Sequence, residues 1–212
     1  MLSKVEVYMP LISADEATDV LAPFLEGIHD AIHGGMADFK KLPARDRNSW
    51  VAGTCAGVVH DYQVARAAGY FAKFPGKVRA HEKDKLVLFD IHGRVALRFK
   101  KVDRAFKSRN QPTRQVAEFR GQMQLPGVNA SSNLEAAYVY HEIEQDIEWA
   151  GIVCPNNERA YWHMELRDEG AFLNVIDMFE ATEEDENAGT KYTRRQSGII
   201  VPFKRDGSKP ES

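Results

Sequence analysis

The stretch "KLVLFDIHGRVALRFKK", Lys85 to Lys101, decides the fold class. "KLVLFD" and "RVALRFKK" flank Ile91-His92-Gly93, a short connection with glycine at its end, and this arrangement predicts a β-hairpin. In the second arm Val95, Leu97 and Phe99 alternate with Arg94, Ala96, Arg98 and Lys100. Period two sends successive side chains to opposite faces. One face is therefore expected in a core, with Arg94, Arg98 and Lys100 in water on the other.

Toward the N-terminus the period becomes helical. "SADE" sets Glu16 three residues after Ser13, the spacing of a capping box. Val20, Leu21, Phe24, Leu25, Ile28 and Ile32 then share one side of a 3.6-residue repeat. Pro23 is expected to kink this helix or shift its start, and Gly34-Gly35 to end it. A second helix is expected over Ser49–Ala72, with Val51, Cys55, Val58, Val59, Tyr62 and Ala65 as its apolar stripe. Toward the C-terminus, strands are expected at "EAAYVYHEI", "IEWAGIVCP" and "RAYWHMELR", the last two joined by a turn at Pro155-Asn156-Asn157. The acidic block Glu180, Glu183, Glu184, Asp185 and Glu186 reads as an exposed loop, and Ile199 to Phe203 as a short strand. The expected fold is α+β, with N-terminal helices packed on one side of a mostly antiparallel sheet. It forms a single domain over 1–204, helical over 13–72 and strand-rich over 78–204, with a flexible tail at 205–212.

Composition bounds the setting. The 212 residues are 43% apolar and 28% charged, with a formal net charge of -3, the balance of a soluble globular protein. Cys55 and Cys154 are too few for a disulfide framework or a thiol-rich zinc site, and are expected to be reduced. Cys55 falls on the apolar stripe as packing. No run suits a signal peptide or a membrane span, so a cytoplasmic protein without membrane contact is expected.

Against that net charge, Arg94 to Arg120 holds nine Lys and Arg residues and two acidic ones. A helix is expected from Pro112 to Met123, with Val116, Phe119 and Met123 toward the core and Arg114, Arg120 and Gln122 toward water. Long cationic side chains on such surfaces suit phosphate contacts, and Asn110, Gln111 and Gln115 add polar groups for sugar or base edges. The expected contact set is Arg94, Arg98, Lys100, Lys101, Arg104, Lys107, Arg109 and Arg114. Its partner is nucleic acid, DNA included, or an acidic protein; the alternative is pairing with the chain's own acidic half. No recognisable nucleic-acid motif supports the first choice.

Catalytic readings find less. A metal-dependent nuclease would place carboxylates and a lysine on neighbouring strands. Asp90 and Lys100 or Lys101, with Glu82 nearby, resemble that layout, but Arg98 and Phe99 stand where the second carboxylate belongs. His29 and His33 lie four apart on one helix, and His60 would be their third zinc ligand. The metalloprotease glutamate is missing, and helix-border histidines usually serve other ends. No nucleophile elbow and no phosphate-cradling glycine loop is visible. No catalytic residue, cofactor or metal is assigned. "GQMQLPG" looks somewhat like a clamp-docking peptide without its terminal aromatic, and reads more simply as a helix-ending loop with Leu125 in the core.

The ordered set "RFKKVD", "RNQPTRQVAEFR", "LPG", "YVYHEI", "IVCP" and "AYWHMEL", spanning roughly Leu86 to Leu166, resembles a group of uncharacterised bacterial proteins. Such proteins occur beside repressors and ImmA-type peptidases in mobile or defence loci. The resemblance implies a toxin, antitoxin or accessory regulator in a bacterial or prophage operon, and no residue roles. The expected function is a non-catalytic component of a toxin–antitoxin or phage-defence system, binding nucleic acid or an acidic, operon-encoded partner. The alternatives are a metal-dependent nuclease and a protein-binding growth inhibitor, with the replication machinery among its candidate targets.

Overall fold

A computed structural model describes residues 8–83, 86–108, 113–167, 172–181 and 192–200. The helical N-terminal part comprises α1 (Ala14–Leu21), a 3-10 turn (Ala22–Phe24), α2 (Leu25–Lys41), α3 (Ala44–Ser49) and α4 (Ala52–Phe71). Ser13 caps α1 as expected, its hydroxyl accepting the Glu16 N–H at 3.2 Å. Pro23 sits in the 3-10 turn and breaks the predicted single helix in two.

Gly34-Gly35 does not end α2, which continues to Lys41. These glycines serve helix packing instead. A Cβ on Gly35 would run into Gln63 of α4, one on Gly34 into Arg66, and one on Gly27 into the Tyr70 ring. The missing side chains let α2 and α4 lie against each other.

The sheet follows: β1 (Val78–Lys83), β2 (Leu86–Ile91), β3 (Val95–Val102), β4 (Ser132–His141), β5 (Asp146–Asn156), β6 (Arg159–Glu165), β7 (Phe172–Ala181) and β8 (Tyr192–Ile200), hydrogen-bonded in chain order. The hairpin of β2 and β3 is present, and β1 and β7 add strands that the apolar pattern did not mark. Glu180, expected in a loop, lies in β7, while 182–191 is outside the described residues. β8 takes up Ile199 and Ile200 of the expected last strand. Every neighbouring pair is antiparallel except β3 and β4, which run parallel.

That exception has a structural cost. Parallel neighbours need a crossover connection, and residues 103–131 supply it, carrying α5 (Arg114–Arg120). Leu97, Phe99, Leu134, Ala136, Tyr138, Ile152 and Trp162 pack against α1, α2 and α4. The alternate residues Leu88 and Ala96 pack against Phe119, Leu125, Val128 and Ala130 of the crossover. Helices therefore cover both faces, not one. Trp162 ties the N-terminal layer to the sheet, its indole N–H donating to the Ile12 carbonyl at 2.8 Å. No helix among the described residues is long and apolar enough to cross a membrane.

Candidate functional site

Pairing between β2 and β3 covers Phe89↔Leu97, Asp90↔Ala96 and Ile91↔Val95, and stops there. β3 nevertheless runs on beside β4 to Val102. The two strands diverge, and a cleft of about 1210 Å³ opens between them. Leu86 and Val87 form one wall and Arg98 to Val102 the other. Ala52, Gly53, Ala56, Gly57 and His60 of α4 close one end, while Thr113, Gln115 and Val116 at the start of α5 border it elsewhere. Tyr140 to Ile143, at the β4–β5 turn, complete the rim.

The cationic floor of this cleft is built on a buried carboxylate. Glu135 of β4 is fully buried and lies beside Arg98 in register. Its Oε1 accepts Arg98 Nε–H at 3.2 Å, and its Oε2 accepts Arg120 Nη1–H at 2.7 Å. Arg120 also donates to the Asn157 carbonyl at 2.7 Å, and the Arg98 guanidinium lies 4.1 Å from the Phe119 ring centroid. Two guanidiniums share one carboxylate, so the group carries a net positive charge. Burial of charge is sustained only where pairing and hydrogen bonds compensate it, and here every member is bonded.

Two corrections follow from this network. Arg98, expected in water, is 3% exposed, and Arg120 is 5% exposed. Their face is the one that the α5 crossover covers. Gln122 was also expected outside; its side-chain amide donates to the carbonyls of Asn133 and Pro155, each at 2.8 Å, inside the same layer.

Lys100 is the next residue on that face of β3. It is half-buried and makes no hydrogen bond or ion pair among the described residues. Desolvation first, and the neighbouring Arg98 charge second, push its ammonium pKa down to about 8. Lys101 holds its Nζ 4.6 Å from the Tyr140 ring centroid. His60 lines the cleft from α4, and burial, opposed by Asp61, pulls its imidazole pKa below the usual value. The cleft thus presents ammonium groups beside a largely apolar wall, a combination suited to holding an anion.

The remaining predicted cations are placed elsewhere or already paired. Arg94 pairs with Glu16 of α1. Arg104, at the cleft rim, holds Glu148 at 2.9 Å; Lys107 holds Glu158 at 2.6 Å; Arg114 holds Glu118 at 2.8 Å. Arg109, Asn110, Gln111 and Pro112 lie outside the described residues. Of the eight, the cleft brings together Arg98, Lys100, Lys101 and Arg104.

The residues considered for catalysis do not converge. Asp90 is buried, and its Oδ1 accepts the Gly93 N–H at 3.0 Å, capping the hairpin turn. The His29 and His33 rings lie 4.3 Å apart on α2, while His60 belongs to the cleft. No group of three His, Cys, Asp or Glu residues able to hold a metal stands together among the described residues. Both cysteines are free, and burial pushes the Cys154 thiol pKa up to about 12, leaving it unreactive at neutral pH. Leu125 is in the core, as the loop reading of "GQMQLPG" expects.

Sequence reasoning missed Glu135 and the α4 wall. Glu135 had a signal: a lone carboxylate in the apolar run "NLEAAYVY" requires a buried partner. Gly53 and Gly57, four apart in a helix, had one also. No protein family, curated protein or solved structure matches the chain.

Proposed function

We propose that the protein is a non-catalytic binding component that takes an anionic partner, a nucleic acid or an acidic protein segment, into the cleft between β2 and β3. Its setting is the bacterial cytoplasm, in a toxin–antitoxin or phage-defence system, as the sequence resemblance implies. One observation carries the binding reading. Lys100 stands in an open cleft without an ionic partner among the described residues, while Arg94, Arg98, Arg104, Lys107, Arg114 and Arg120 each hold a carboxylate. A half-buried ammonium is costly alone and gains from an incoming anion.

The test is fluorescence anisotropy of the full chain against labelled duplex DNA, single-stranded DNA, RNA and polyglutamate at about 50 and 200 mM salt. Two cleft lysines on duplex phosphates predict roughly a tenfold loss of affinity across that range. Lys100→Gln is expected to weaken binding with unfolding unchanged or improved. Equal binding by wild type and folded Lys100→Gln would remove the cleft from the account.

A further inference from the structure

Lys100 offers the cleft an amine as well as a charge. It is half-buried there, two residues along β3 from Arg98, with no carboxylate partner among the described residues. The Arg98 and Arg120 guanidiniums share the single buried carboxylate of Glu135, so the group below Lys100 is net positive, and Lys101 lines the same cleft. Of the carboxylates at the rim, Asp103 accepts the N–H groups of Ala105 and Lys107, and Glu142 lies in the β4–β5 turn. The α4 wall of Ala52, Gly53, Ala56 and Gly57 is uncharged and ends at His60. Burial, and then the Lys100 charge, lower the His60 imidazole pKa against the opposing Asp61, which keeps the ring neutral at pH 7. A lysine desolvated beside another cation is the setting in which an amine becomes a nucleophile.

We propose that Lys100 is a covalent attachment point, forming an imine with a small aldehyde that bears a carboxylate or phosphate. The proposal rests on the cleft as an anion site and goes beyond it by adding a bond. The Lys100 nitrogen lone pair attacks the carbonyl carbon, and the C=O π electrons move to oxygen. His60 relays the two protons of the amine, in turn, to that oxygen, which leaves as water while the C=N bond forms. One water is released and nothing is oxidised or reduced. The surrounding cations select the anionic guest, since they concentrate negative charge in the cleft and give a neutral aldehyde no hold. Desolvation first, and the Arg98 charge second, supply the unprotonated amine near neutral pH.

The full chain is treated at neutral pH with glyoxylate, glycolaldehyde phosphate or neutral glycolaldehyde, each with cyanoborohydride, which reduces an imine to a stable secondary amine. Tandem mass spectrometry of digests gives the trapping rate at each lysine, with the exposed Lys77 as internal reference. Trapping by the anionic aldehydes is expected to be about tenfold or more faster at Lys100 than at Lys77, because more of its amine is unprotonated. The Lys100-to-Lys77 ratio should be about fivefold or more higher for the anionic aldehydes than for glycolaldehyde, and the larger of the two anionic ratios names the anion. The Lys100 rate should rise with pH and level off above about 8, while the Lys77 rate keeps rising. His60→Gln should slow Lys100 about threefold or more and leave Lys77 unchanged, as loss of a proton relay requires. Equal trapping at Lys100 and Lys77, or a ratio that ignores the anion, overturns the attachment. The cleft reading then stands if Lys100→Gln still weakens oligoanion binding, and falls as well if that binding is indifferent to Lys100.

Discussion

At Glu135 a single carboxylate holds two buried guanidiniums, and removing it leaves both uncompensated. Glu135→Ala is expected to cost about 3–5 kcal/mol, the range for breaking a buried ion pair from one side. Arg98→Met should cost less, because Glu135 keeps Arg120 and the methionine fills the space over Phe119. Urea unfolding of the two variants checks the order, and a Glu135→Ala loss below about 1 kcal/mol would contradict the burial that sets it. The same residue marks what the sequence made legible. The alternation in "RVALRFKK" places Arg98 on the face opposite Leu97 and Phe99, which pack against the N-terminal helices, and this is where it lies. Its burial is not in the alternation, because the residues that cover it, Phe119 and Glu135, come 21 and 37 positions later. Exposure in a strand belongs to what crosses above it.

Glycine shows a parallel division among the helices. Gly27, Gly34 and Gly35 of α2 meet α4 side chains at once if given a Cβ, whereas Gly53 and Gly57 of α4 face open space. Gly57→Ala should therefore stabilise by about 0.5–1 kcal/mol, the ordinary gain of alanine over glycine within a helix. Gly35→Ala should destabilise by about 1–3 kcal/mol, as overpacking does. Thermal unfolding of both variants separates the two roles, and shifts of the same sign would contradict the packing. From sequence, Gly34-Gly35 reads as a stop because glycine at a helix end and glycine at a helix contact look alike. The hairpin, the capped first helix and the strands of β4 to β6 were legible, since each rests on local periodicity. The parallel β3–β4 pair and the second helical face were not. Both depend on a crossover whose destination no local pattern encodes.

Across the whole molecule, the basic stretch resolves largely into internal complementarity. Arg94 reaches Glu16, Arg98 and Arg120 reach Glu135, Arg104 reaches Glu148 and Lys107 reaches Glu158. The exposed pairs among these stabilise little, about 0–1 kcal/mol each. Among the described residues these pairs leave Lys100, in the cleft, without a carboxylate partner. The most direct measurement is the titration of Lys100 by NMR of ¹³C-labelled lysine, in the free chain and with polyglutamate. The free ammonium should lose its proton near pH 8. Polyglutamate should move that midpoint upward, because an anion binds the protonated form, and affinity should correspondingly fall as pH rises through 8. A midpoint at the ordinary lysine value, unmoved by polyglutamate, would contradict both the half-buried position of Lys100 and the cleft as an anion site.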